Sequence, residues 1–124
     1  MLINLSNHPS AKWGDEQMQA ATEQYGRVVD IPFPQVDSNG DEGYIASLAD
    51  EYVSRVIAAA ADGFATVHLM GEMTLTFALV CRLQRLGYPC VASTTERAVR
   101  ELDDGSSEVR FKFVQFRTYS SASI

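Results

Sequence analysis

Four short apolar runs, each followed by a polar or helix-periodic segment, constrain this chain more than any other feature. Leu2 to Leu5, Arg27 to Phe33, Ala65 to Met70 and Tyr88 to Ala92 read as strands. Between them lie helical patterns over Gly14 to Tyr25, Tyr44 to Ala61 and Met73 to Leu86. Ile45, Leu48, Ala49, Tyr52, Val53, Val56, Ile57 and Ala60 repeat at spacings of three and four and form one apolar stripe. Gly26 and Gly87 suit helix ends, as does Asp62-Gly63. Strands alternating with helices imply right-handed crossovers and a mostly parallel sheet with helices on both faces.

The C-terminal part departs from this pattern. Arg97 to Leu102 and Glu108 to Tyr119 flank Asp103-Asp104-Gly105-Ser106-Ser107, which predicts an antiparallel hairpin. Its alternation puts Val109, Phe111, Phe113 and Gln115 on one face, and Arg110, Lys112, Val114 and Phe116 on the other. The expected architecture is a single α/β domain over residues 1–119, with a frayed tail from Ser120 to Ile124. At 124 residues such a chain buries a core without disulfides or metals.

A net charge of −6 argues against a general binder of long nucleic acid, which relies on Lys and Arg neutralising many phosphates. A small anionic ligand needs only a few N–H groups, hydroxyls and cations converging in one pocket. Cys81 and Cys90 sit in apolar runs and read as buried free thiols. No Cys/His cluster has metal-ligand spacing, so neither a metal nor a cofactor is expected. No apolar stretch reaches about 18 residues and the chain opens without a leader pattern, which points to the cytoplasm.

In open parallel sheets, ligands bind beyond the carboxyl ends of the strands. Three polar segments are expected there: Ser6-Asn7-His8-Pro9-Ser10, Gly71-Glu72-Met73-Thr74 and Ser93-Thr94-Thr95-Glu96-Arg97. Gly71 between strand and helix reads first as a tight turn with Thr74 as a cap, and alternatively admits a ligand to free amides at a helix N-terminus. The three hydroxyls and Arg97 suit phosphate oxygens and ribose hydroxyls, or else form a solvated turn. His8 could move a proton or orient a hydroxyl, or bond to nearby backbone. His68 lies within a strand and reads as a satisfied core residue. Trp13 and Phe33 could stack on bases, although such aromatics also serve as core or dimer contacts.

Leu5 to Ser10, Ile31-Pro32-Phe33-Pro34, Met70 to Thr74 and Ala92 to Arg97 resemble the small CRISPR-associated ring-nuclease-type proteins of type III systems. The likeness runs from about Leu2 to Tyr119. It implies a Rossmann-like fold, a homodimer or larger assembly, and binding of the second messenger cyclic tetra-adenylate, which some members cleave without metal and others sequester. Under this likeness Ser6, Asn7, His8, Ser10, Trp13, Phe33, Gly71, Glu72, Met73, Thr74, Ser93, Thr94, Thr95 and Arg97 contact the ring. Arg97 and the Gly71–Thr74 amides would hold phosphate. His8 would assist attack of a ribose 2′-hydroxyl on its own phosphate. The competing expectation is a nucleotide- or protein-interaction module with no cyclic ligand, its apolar C-terminal hairpin forming a dimer or partner surface.

Overall fold

The computed structural model describes residues 1–61 and 63–121; Asp62 at the expected helix stop and residues 122–124 of the expected tail lie outside the described residues. Five strands, β1 (Leu2–Ser6), β2 (Val28–Pro32), β3 (Thr66–Met70), β4 (Cys90–Glu101) and β5 (Ser107–Thr118), form one sheet in the order β2-β1-β3-β4-β5. The first four run parallel, and β5 returns antiparallel to β4. The chain is therefore an α/β protein with a mostly parallel sheet and an antiparallel C-terminal pair.

Side-chain alternation divides the core. Ile3, Leu5, Val67, Leu69 and Cys90 face α2 (Glu42–Ala60) and α3 (Met73–Arg85), which supply Ala49, Tyr52, Val56, Leu75, Leu79 and Leu83. Leu2, Val91 and Phe116 face the opposite side, where Trp13 and α1 (Asp15–Tyr25) cover them. The α2 helix begins before the expected Tyr44 because the Asp41 carboxylate accepts from the Tyr44 amide at 2.9 Å and caps the helix at Glu42. The expected polar loop after β1 contains a short 3₁₀ turn, Ser10–Lys12. Both cysteines are free; Cys90 is buried and Cys81 is half-buried on α3.

The fourth strand does not stop at Ala92. It pairs with β3 only through Cys90 and Val91, then continues to Glu101 as one arm of a long hairpin. Ser93 to Arg97 are consequently strand residues. Turn-like composition was overridden by cross-strand pairing, from Val91 opposite Thr118 to Glu101 opposite Ser107. A bulge interrupts this ladder, with Thr94 opposite Gln115 and Thr95 opposite Phe113. Val114 is the additional residue, and it reverses the alternation of β5. Phe113 and Phe116, expected on opposite faces, therefore share one, with ring centroids 5.0 Å apart.

Candidate functional site

Because β1 leads to β2 on one side and the chain then crosses to β3 on the other, the carboxyl ends of β1 and β3 form the topological switch point of the sheet. Two predicted segments meet there. The Asn7 amide donates to the Met70 carbonyl at 3.2 Å, joining the loop after β1 to the turn after β3. Ser93 lies beside Met70, its Oγ 3.1 Å from the Met70 sulfur, and brings β4 to the same edge.

Behind this edge runs a polar relay, buried at Asn4, Ser6 and His68 and reaching the surface at Asp30. Asn4, Asp30 and His68 are the third residues of β1, β2 and β3 and stand in register. Asn4 Nδ2 donates to Asp30 Oδ1 at 2.8 Å and to the His8 carbonyl at 2.9 Å. Both partners are acceptors, so the amide orientation is fixed and Asn4 Oδ1 faces donors. It accepts from Ser6 Oγ at 2.7 Å and from His68 Nδ1 at 2.8 Å. The proton of His68 therefore sits on Nδ1, and its Nε2 lone pair faces Ser93 Oγ at 3.1 Å.

Burial, with a lesser contribution from the charge of His8, pushes the His68 imidazole down to about 4. It is neutral at pH 7. Asp30 closes the far end, accepting from Ser10 Oγ at 2.6 Å and the Ser10 amide at 3.1 Å. Burial raises its carboxyl, and the bonds from Ser10 and Asn4 outweigh that, leaving it below its ordinary value.

The other expected residues occupy definite places. Trp13 is only 7% exposed; its indole N–H donates to the His8 carbonyl at 3.0 Å and its ring meets His68 edge-on, so it cannot stack on a ligand. Phe33 covers Gly71 so closely that a Cβ there would come within 2.5 Å of the tip of its ring, so any side chain at this position requires the ring to shift. The backbone is approached by Phe33, and stacking by that ring on a ligand is blocked on this side. Glu72 caps α3: its carboxylate accepts from the Thr74 and Leu75 amides at 3.0 and 2.8 Å and from the Thr74 hydroxyl. Those bonds, the Leu75 amide foremost, lower its pKa. The amides expected to hold phosphate already serve a carboxylate.

Thr94 Oγ1 donates to the Gln115 carbonyl at 3.3 Å. Thr95 and Arg97 are exposed on the hairpin, Arg97 opposite Phe111. Four strand positions separate Arg97 from Ser93, roughly 13 Å at about 3.3 Å per residue. His8 is exposed at the loop, and its ring makes no hydrogen bond among the described residues. Met73 is exposed. The fold thus assembles Ser6, Asn7, His8, Ser10 and Ser93 at one edge with Gly71 and Glu72 beside them, and sends Arg97 away.

A family model decides the relationship, matching residues 1–117. The chain belongs to the uncharacterized protein MJ1673 family. No curated protein and no solved structure matches it. The MJ1673-family match takes in the whole relay, the switch-point loops and nearly all of the hairpin.

The relay residues Asn4, Asp30 and His68 stand outside the strand-end loops that the sequence draws attention to. Their signal is one polar residue at the centre of each of three strands, flanked on both sides by apolar neighbours. Chemically, the order Ser93, His68, Asn4 resembles nucleophile, base and orienter. However, the depressed imidazole is a weak base and Met70 covers the serine oxygen, so the relay acts as a rigid polar strut. Among the described residues no cluster of three or more His, Cys, Asp or Glu could hold a metal ion. No helix among them is long and apolar enough to cross a membrane.

Proposed function

We propose that this MJ1673-family protein binds cyclic tetra-adenylate at the carboxyl edge of its sheet, as a homodimer, and dampens type III CRISPR signalling by sequestering the messenger. The observation that carries the reading is the Asn7–Met70 hydrogen bond, which brings the loop after β1 and the turn after β3 together at the switch point, with Ser93 alongside. Those segments are the ones that resemble the ring-nuclease-type proteins. Four phosphates arranged with two-fold symmetry suit a two-fold dimer, each subunit facing half the ring. The acidic chain disfavours polymeric RNA while leaving hydroxyls and His8 for a compact ligand.

Sequestration is favoured over cleavage by the dispersal of the expected catalytic groups. Arg97 is on the hairpin, Glu72 holds the α3 amides expected to hold phosphate, and the His8 ring has no hydrogen-bond partner among the described residues. A native-gel titration of labelled cyclic tetra-adenylate with excess protein and EDTA, repeated under denaturing conditions, tests both halves. A shifted, intact ring is expected. Linear product would make the protein a metal-independent ring nuclease, and no shift at micromolar protein would sink the reading.

A further inference from the structure

Beyond the point where β3 ends, Thr95–Glu101 and Ser107–Phe113 pair only with each other and form an amphipathic ribbon. One face carries Val99, Val109 and Phe111 with Arg97 among them; the other carries Glu96, Arg100, Glu108, Arg110 and Lys112. Phe111 is 70% exposed, and Val99 and Val109 are exposed beside it. A two-stranded ribbon with an uncovered apolar face is marginal by itself.

A second uncovered apolar feature lies on the body. Between α3 and the hairpin root is a groove of about 580 Å³, lined by Met70, Met73, Thr76, Phe77, Val80 and Tyr119. Met73 and Phe77 are 84% and 72% exposed. Thr76 is 9% exposed, and its hydroxyl is a buried group with no partner among the described residues.

We infer that the apolar face of the ribbon seats in this groove of a second copy of the chain, reciprocally, with Arg97 entering among the apolar contacts. This deepens the homodimer of the reading above by naming its interface. Charge selects the arrangement. The net charge of −6 resides in residues 1–89, because residues 90–124 balance five acids against five cations. Ribbon packed on ribbon would bring two Arg97 guanidiniums into one apolar contact, whereas the groove begins at Gly71 and Met73, on either side of the Glu72 carboxylate.

Sedimentation velocity on the full chain without ligand tests this arrangement. The parent is expected to be a dimer. Phe111→Ser and Phe77→Ser, both at exposed positions, are each expected to weaken it by at least about 100-fold with unchanged circular dichroism. An equimolar mixture of the two variants should recover a heterodimer, since the intact ribbon of one fits the intact groove of the other. A monomeric parent overturns the inference. So does a Phe77→Ser protein that dimerises like the parent, which would point to ribbon-on-ribbon contact. Ligand is absent throughout, so failure of the interface is separate from failure to bind the messenger.

Discussion

Asn4 is saturated: two N–H donors meet the His8 carbonyl and Asp30, and both lone pairs of its oxygen receive Ser6 and His68. Replacing it with leucine leaves the buried His68 Nδ1–H without a partner and takes one bond each from Asp30, the His8 carbonyl and Ser6, which keep others to Ser10, Trp13 and the His8 backbone. Asn4→Leu is expected to cost about 2–4 kcal/mol, read from the urea midpoint at constant m-value. A loss below about 0.5 kcal/mol would mean that water substitutes freely for the amide. His68 adds a pH signature. Its folded pKa, about 4, lies below the ordinary 6.5, so in this window the unfolded chain binds a proton that the folded chain refuses. Its contribution is complete above pH 6.5 and is lost as the pH falls towards 4, amounting to about 3 kcal/mol. Urea unfolding at pH 7.5 and 4.5 should show that decline. An NMR titration placing the His68 midpoint near 6.5 would contradict the buried neutral ring.

The turn from β3 to α3 shows how one element constrains another. Gly71 accommodates the Phe33 ring, and Glu72 caps the N-terminus of the following helix with its own carboxylate. Gly71→Ala is expected to destabilise by about 1–3 kcal/mol through overpacking against Phe33, and most of that cost should vanish in a Phe33→Ala background. Equal costs in both backgrounds would assign the effect to the turn backbone. The element order and the parallel core were legible because apolar period and glycine punctuation agree along the first 92 residues, and the hairpin because alternating residues flank the Asp103–Ser107 turn. The extent of β4 was not, since Ser93-Thr94-Thr95 carries turn-like composition and its strand state depends on partners some twenty residues later. The bulge at Val114 was equally hidden, and it alone moves Phe113 onto the Phe116 face. Of the site, the switch-point loops were legible. The Asn4–His68 contact spans 64 positions and needed the strand register to bring it out.

For the whole molecule, the distribution of polarity links fold, assembly and proposed ligand. A body bearing all the net negative charge repels long polyanions, and a charge-balanced ribbon supplies the cations that the sheet edge lacks. In a reciprocal dimer the ribbons embrace the α3 grooves, which begin at Met70 and Gly71, next to the switch-point loops. The proposal requires that the two carboxyl edges then face one symmetric ligand. Calorimetric titration of cyclic tetra-adenylate into the parent protein tests this account most directly. It predicts saturable binding at one ring per two chains; absence of binding, or one ring per chain, would contradict it.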